Sequence, residues 1–521
     1  MNRAPKLISC CTVALLLFLL AQSGPLPAAE RNMLYRALES IEVDRLNDLV
    51  VALADDTFEG REAGSRGGRA AGTYLIRELK KIGVAGGGVD GDYHQPFGND
   101  YRNILAVLPG SDPKLKDEYI VIGAHYDHVG YGTHRNSYGP IGFIHNGADD
   151  NASGTAALLE IAEALMTLPE PLRRSVLFGL WDGEEKGLLG SKHWVGHPTV
   201  PLEQIKFVIN MDMVGRLGEK GLQVMGTRSG PGLRQMICRE NREVGVQLQF
   251  PWKIRHNTDH SPFFEQGIPV LSFHTGLHDD YHRPSDDAEL INVEGIQEVA
   301  RLAFHVAHAV AERDTEIDFR PDSRSENAVY RKRFEQTLEN RKPRLGISWD
   351  RDADATQGIR LIEIRPGSPA ARAGLTVGDR MTQFDGRSIS SQAQLVQLVL
   401  AASATVPVLV DRLGAAEPVT VEIELDGKPI RLGLSWREDE GEPGSVTVIH
   451  VVAGSPAYHG GLKTRDRVYE VNGKPFQDSD AFRQMVTTLD MPMNLLVERH
   501  GLLEQVTLQP LDSVERVARR E

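Results

Sequence analysis

The chain has 521 residues, too many for one ordinary core and, at roughly 150 residues per domain, enough for about three. Apolar residues at 41% and charged residues at 25% describe a globular chain and exclude an intrinsically disordered one. A formal net charge of -14 gives nucleic-acid binding no electrostatic support and favours solubility instead.

In chain order, Arg3 and Lys6 come first, then an unbroken apolar run over 13–21, then Gly24, Pro25 and the small pair Ala28-Ala29. A basic start, a short apolar stretch and small residues at a cleavage point make residues 1–29 a secretory signal, so the chain is expected to be exported, periplasmic or secreted. The apolar run is well short of the ~20 residues a span needs, and no stable membrane anchor is expected. Leu7-Ile8-Ser9-Cys10 faintly resembles a lipid-attachment site, but the apolar run follows it instead of preceding it. Cys10 and Cys11 fall within the signal, leaving Cys238 alone in the mature chain. No intramolecular disulfide is then available, and stability must come from cores and bound metal.

From residue 30 to 312, strand-like apolar runs alternate with longer helical patterns, which predicts an α/β domain with a mostly parallel sheet flanked by helices. The clearest strands are predicted at 119–123, 175–181, 207–209 and 270–273, and helices at 72–82, 154–165 and 293–311. From 313 to 342 the chain is charged and poor in apolar residues, with little to bury over 320–327, and reads as a linker with room for a short helix.

The remainder repeats itself. Leu345-Gly346-Ile347-Ser348-Trp349 returns as Leu432-Gly433-Leu434-Ser435-Trp436, and Gly367-Ser368-Pro369-Ala370 returns as Gly454-Ser455-Pro456-Ala457. Asp385-Gly386 returns as Asn472-Gly473, and all three pairs keep one offset of 87 residues. A constant offset means two copies of one small domain, at 343–427 and 428–512.

Chemistry-bearing residues gather where the predicted strands end. The strand at 119–123 runs into His125-Tyr126-Asp127-His128, and that at 175–181 into Asp182-Gly183-Glu184-Glu185. The strand at 207–209 leads to Asp212 and that at 270–273 to Asp280-Tyr281-His282, while Asp149-Asp150-Asn151-Ala152-Ser153-Gly154 opens a helix. In open α/β sheets the carboxyl ends of the strands form the ligand crevice. Imidazole with carboxylate and no thiolate suits zinc or a similar divalent cation. Five ligands are too many for one tetrahedral ion that keeps an open position, and they fit two ions sharing a carboxylate. Adjacent Glu184 and Glu185 point in different directions, so one can bind metal while the other takes a proton from water.

These segments, over roughly residues 45–310, resemble the co-catalytic zinc aminopeptidase family that includes aminopeptidase S, aminopeptidase Y and glutamate carboxypeptidase. The resemblance implies two Zn2+ per chain, one held by His125, Asp150 and Asp212 and the other by Asp150, Glu185 and His282, with Asp150 as the bridge. It also implies Glu184 as general base and Asp127 as the residue that orients His125. The stretch Glu59-Gly60-Arg61-Glu62-Ala63-Gly64 resembles the family's N-terminal region, and the Gly-rich span 128–144 is longer than in compact members. Asp259-His260 resembles a segment that lines the substrate pocket, so His260 is a candidate for substrate binding, as is Tyr281. His128, His274 and His278 are expected to pack or face solvent.

The two repeats resemble PDZ domains of the bacterial protease type, small and β-rich. In such domains a Leu-Gly-apolar loop offers backbone N–H groups to a peptide's terminal carboxylate, and the peptide adds to a sheet edge. The loops here are Leu345, Gly346 and Ile347, and Leu432, Gly433 and Leu434, so C-terminal peptides are expected partners. The expected function is removal of N-terminal residues from peptides by a metal-bound hydroxide, with Glu184 as base. Carboxypeptidase or dipeptidase action, a single-zinc glutaminyl cyclase and a non-catalytic PDZ scaffold are the alternatives.

Overall fold

The computed structural model describes residues 28–98, 100–337, 343–350 and 352–510, so the expected signal lies almost wholly outside the described residues. Among the described residues the first domain carries nine strands: β1 (Ala85–Gly86), β2 (His94–Phe97), β3 (Tyr101–Leu108), β4 (Tyr119–His125), β5 (Ser175–Trp181), β6 (Ile205–Met211), β7 (Leu222–Met225), β8 (Leu248–Gln249) and β9 (Val270–His274). Its helices are α1 (Ala28–Glu39), α2 (Val43–Leu53), α3 (Arg66–Ile82), α4 (Gly154–Met166), α5 (Leu189–Gly196), α6 (Leu233–Glu240), α7 (His260–Glu265) and α8 (Val293–Ala311).

The sheet order is β1-β3-β5-β4-β6-β9-β7-β8, with β2 paired to β3. The four central strands β5, β4, β6 and β9 run parallel, and β3 and β7 flank them antiparallel. Every residue of β5 is buried, as a strand covered on both faces requires. Alternate residues divide between two cores. Ile120, Ile122, Phe178 and Ile209 pack with α2, α4 and α8 on one face, while Val121, Leu177 and Val208 meet Trp194, Phe263 and Phe264 of α5 and α7 on the other.

The predicted strands stand: 175–181 keeps its bounds, and 119–123, 207–209 and 270–273 run on at their ends. Helix α3 starts six residues before the predicted 72, because Ser65 caps it through the Gly68 N–H and Gly67 sits where a Cβ would meet Phe58 O at 1.9 Å. Close backbone approach, not an apolar stripe, specifies that first turn.

The segment expected to have little to bury is instead strapped to the first domain. It holds a 3₁₀ turn at Pro321–Arg324 and helix α9 (Ala328–Phe334). Glu326 is buried between Arg228 and Arg320. Phe319 packs on Phe264, and Tyr330 and Phe334 pack on Trp252. Its polar composition hid this because its anchors are ion pairs and scattered aromatics.

The repeats are two antiparallel sheets of one topology. The first comprises β10 (Ile347–Trp349), β11 (Ile359–Ile364), α10 (Pro369–Arg372), β12 (Arg380–Phe384), β13 (Arg387–Ser388), α11 (Gln392–Ala401), β14 (Thr405–Asp411) and β15 (Val419–Glu424). The second comprises β16 (Leu434–Glu438), β17 (Val446–Val451), α12 (Pro456–His459), β18 (Arg467–Val471), β19 (Lys474–Pro475), α13 (Ser479–Thr488), β20 (Met493–Arg499) and β21 (Leu502–Leu508). Strand order β10-β11-β12-β14-β15 recurs as β16-β17-β18-β20-β21. The repeated motifs meet in space. Gly346 and Gly433, both left-handed, pass so close to Ser368 and Ser455 that a Cβ would lie 2.3 and 2.0 Å from the serine Cβ. A repeated ion pair, Asp379–Arg412 and Asp466–Arg499 at 2.7 Å each, pins the same corner of both.

The second repeat docks on the first domain. Leu248 N–H donates to His500 O at 2.8 Å, and Gly232 N–H to Gly441 O at 3.1 Å. Arg228 donates twice to Asp439, at 2.7 and 2.8 Å, and Arg467 reaches the same carboxylate at 2.5 Å. Cys238 is buried and unpaired. Among the described residues no helix is long and apolar enough to cross a membrane.

Candidate metal centre

Parallel β4, β5, β6 and β9 bring their carboxyl ends to one edge of the sheet, and with them His125, Glu184-Glu185, Asp212 and the loop that carries His282. Asp150 comes from the segment that immediately precedes α4. His125 Nε2 lies 3.3 Å from Asp150 Oδ1 and 3.5 Å from Asp212 Oδ1. His282 Nε2 lies 3.1 Å from Asp150 Oδ2 and 3.1 Å from Glu185 Oε2. Asp150 thus turns one oxygen to each side and belongs to both of the groups able to hold an ion: His125, Asp150 and Asp212, and His128, Asp150, Glu185 and His282.

The donor set fits divalent cations. Among the described residues no lysine or arginine side chain bonds the carboxylates of Asp150, Asp212, Glu184 and Glu185, and four such charges in a largely buried cleft are unstable without compensation. The imidazoles carry part of it. Burial opposes ionisation of Asp212, yet His125 holds its carboxyl down at about 2. Burial likewise opposes ionisation of Glu185, and His128 and His282 hold it well below the carboxylate range. Glu184 differs: burial, with Glu185 and Asp259 nearby, pushes its carboxyl well above that range although His125 opposes the shift. A carboxylate whose proton affinity is raised beside the ligand pair is suited to accept a proton.

Asp127 links two of these residues. Its Oδ1 accepts the Glu184 N–H at 3.0 Å and stands 3.8 Å from His125 Nδ1, which is nearer to the Asp127 carbonyl, at 3.2 Å. Tyr281 lies in the wall of the cleft, a cavity of about 240 Å³ that also includes Tyr138, Arg255, Asn257 and Thr258. His260 is fully buried in the first turn of α7.

Several residues support the ligands without having been assigned a role from the sequence. Arg61 is 1% exposed and donates to Leu53, Tyr126, Asn146, Gly147 and Asp150 carbonyls at 2.6–3.4 Å. Asp286 Oδ2 accepts the Asp149 and Asp150 N–H groups at 3.0 and 3.1 Å. Asn151 donates to Met211 O and His125 O and accepts from Met213 N–H, tying β4 to β6 directly behind the ligands. His128, expected only to pack or face solvent, donates from Nδ1 to Glu185 Oε1 at 2.9 Å. His278 Nε2 meets Asp149 Oδ2 at 3.1 Å, and His274 lines the cleft.

The candidate peptide grooves lie at β10 and β16, which are sheet edges. Leu345, Gly346 and Ile347 line a cavity of about 560 Å³ with Val396 and Val399 of α11, and the second repeat contributes His450 and Val452 to it. Leu432 and Gly433 precede β16 and Leu434 opens it, matching Leu345, Gly346 and Ile347 at β10.

Parts of the chain are similar to known families and proteins. Residues 103–307 match Peptidase family M28, and residues 362–412 and 447–499 match the PDZ domain. Aminopeptidase YwaD of Bacillus subtilis is 27% identical over 223 residues, 41% of this chain and 45% of that protein. Leupeptin-inactivating enzyme 1 of Streptomyces exfoliatus is 29% identical over 236 residues, 45% of this chain and 49% of that protein. The chain thus spans about half the length of these relatives. The crystal structure of LapB from Legionella pneumophila is 20% identical with a TM-score of 0.46, covering 56% of this chain and 78% of that chain. The chain carries a Peptidase family M28 domain followed by two PDZ domains.

Proposed function

We propose that this chain, with its Peptidase family M28 domain, is an exported di-zinc aminopeptidase that removes N-terminal residues from peptides. The observation that carries the reading is Asp150, whose two oxygens face His125 on one side and His282 with Glu185 on the other. His125, Asp150 and Asp212 would hold one ion, and Asp150, Glu185 and His282 the other. Bound there, two divalent cations supply the positive charge that polarises a scissile carbonyl and makes a water acidic. Glu184 takes the proton from that attacking water and returns it to the leaving amine. Asp127, through the Glu184 N–H and the His125 ring, keeps base and ligand in register. Tyr281, in the cleft wall, would offer its hydroxyl as a donor to the reacting groups. The basic, apolar and small-residue segments of 1–29 support export. The open edges of β10 and β16 support capture of peptide C-termini beside the 345–347 and 432–434 loops.

The experiment is a panel of aminoacyl-nitroanilides and N-blocked peptides given to the intact chain and to Glu184→Gln. The intact chain cleaves free N-terminal substrates and is silenced by a chelator. Glu184→Gln keeps its metal and loses turnover by about 10²- to 10⁴-fold. Cleavage of blocked peptides alone would replace the aminopeptidase reading with an endopeptidase or carboxypeptidase one, and near-normal turnover by Glu184→Gln would remove the base.

A further inference from the structure

Among the cleft-wall residues that the hydrolytic step does not use, one carries a fixed positive charge. Arg255 lines the cleft and is half-buried, and it is the one guanidinium or ammonium among the described residues of that wall. Other cations close to the site are engaged: Arg61 with backbone carbonyls, Arg216 with Asp280 and Asp286. The Arg255 side chain has no ion pair or hydrogen bond within the described residues, although its position beside His274 is close enough to act with burial in lowering that imidazole's pKa.

The segment that presents Arg255 is fixed on both sides. Trp252 is buried, lies under the Arg228 guanidinium at 3.9 Å and contacts Tyr330 and Phe334. Ile254 is buried in the core formed with Trp194 and Phe263. Thr258 Oγ1 accepts from Asn210 Nδ2 at 2.8 Å. Anchors at 252, 254 and 258 fix the backbone that carries Arg255 at the cleft wall, so the residue is placed beside the cavity before a ligand arrives.

We infer that Arg255 forms a carboxylate subsite, so that the cleft selects peptides carrying a carboxylate next to the scissile bond. That carboxylate is either an acidic side chain on the N-terminal residue or the free C-terminus of a dipeptide. The inference rests on the di-zinc peptidase reading for the position of the scissile bond. Two divalent cations bound there would offset Asp150, Asp212, Glu184 and Glu185, and Arg255 is then the remaining cation among the residues that line the cavity. A guanidinium meets a carboxylate with two parallel, charge-assisted hydrogen bonds, roughly twice as strong as neutral ones. The same cation disfavours substrates with lysine or arginine at that position.

The test uses the full chain loaded with zinc. Glu184→Gln is titrated calorimetrically with two matched pairs, Glu-Gly-amide against Gln-Gly-amide and Leu-Gly against Leu-Gly-amide, and Glu184-intact chain is assayed on the same four for kcat/KM. The charged member of one pair binds at least about tenfold more tightly than its neutral partner, and that pair identifies which carboxylate is read. The preference is lost in Arg255→Leu, is reduced in Arg255→Lys and reverses toward the neutral member in Arg255→Glu. Ratios within one protein are insensitive to the fraction folded. Equal binding in both pairs, or a preference that survives Arg255→Leu, overturns the subsite. Preserved binding preference without turnover of any member removes the peptidase reading and leaves the subsite standing. Turnover without preference does the reverse.

Discussion

Glu185 is gripped from two directions, and the division matters for how it presents a donor. His128 Nδ1 donates to Oε1 at 2.9 Å, while Oε2 faces His282. Fixing one oxygen leaves the other to meet a cation in a single orientation. Partners of this kind typically set metal affinity within about 10–100-fold. His128→Ala is therefore expected to keep two metals per chain and to weaken the looser one by about tenfold or more, read by competition with a calibrated chelator. Loss of one metal outright would instead make His128 a ligand, which its membership of the second group permits. In the sequence His128 is one more histidine near His125, because its partner lies 57 residues away beyond another strand.

At the scale of elements, the ligand segment before α4 is held from behind by Arg61 and from the side by Asp286. Arg61 uses its whole guanidinium on carbonyls, and burial lowers its pKa to about 10, still far above neutrality. Arg61→Met would leave several buried carbonyls without donors, at about 1–3 kcal/mol each. A loss of about 3 kcal/mol or more in urea unfolding is expected, together with weaker metal binding. A change under about 1 kcal/mol would mean that the carbonyls find other partners. These contacts mark the limit of what the sequence discloses. His125, Glu184, Glu185 and Asp212 are legible because each follows an apolar run that can only be a buried strand, and parallel strands share one edge. Arg61, Asp286 and Arg255 act on backbone groups or line space, so no periodicity points to them. The first turn of α3 was equally hidden, since its specification is a serine cap and two glycines against backbone.

At the scale of the molecule, the 87-residue repeat was plain in the sequence, but its two copies do not stand alike. The second is joined to the peptidase domain by Arg228, Asp439 and Arg467, with partners 211 residues apart that no local pattern connects. Trp252 lies against Arg228 on one side and begins the segment that carries Arg255 on the other, so this junction also braces the cleft wall. Breaking a buried ion pair by removing one partner costs about 3–5 kcal/mol. Asp439→Ala is expected to destabilise the chain by about that amount, and a loss below about 1 kcal/mol in denaturant unfolding would mean the junction is not structural. Burial alone would raise the Asp439 carboxyl, but Arg467 and Arg228 hold it at about 2. That lies below the ~3.9 of an unfolded aspartate, so its contribution is complete above about pH 4 and lost as pH falls through about 2. The stability difference between the native chain and Asp439→Asn should accordingly narrow over that acid window and stay constant from about pH 5 to 8. The centre itself admits the most direct test: metal-free chain titrated with Zn2+ while hydrolysis of a leucyl-nitroanilide is followed. Activity should rise to its plateau only as the second equivalent binds, because Asp150 serves two ions. Full activity at one equivalent, or no hydrolysis at two, would contradict a di-zinc aminopeptidase.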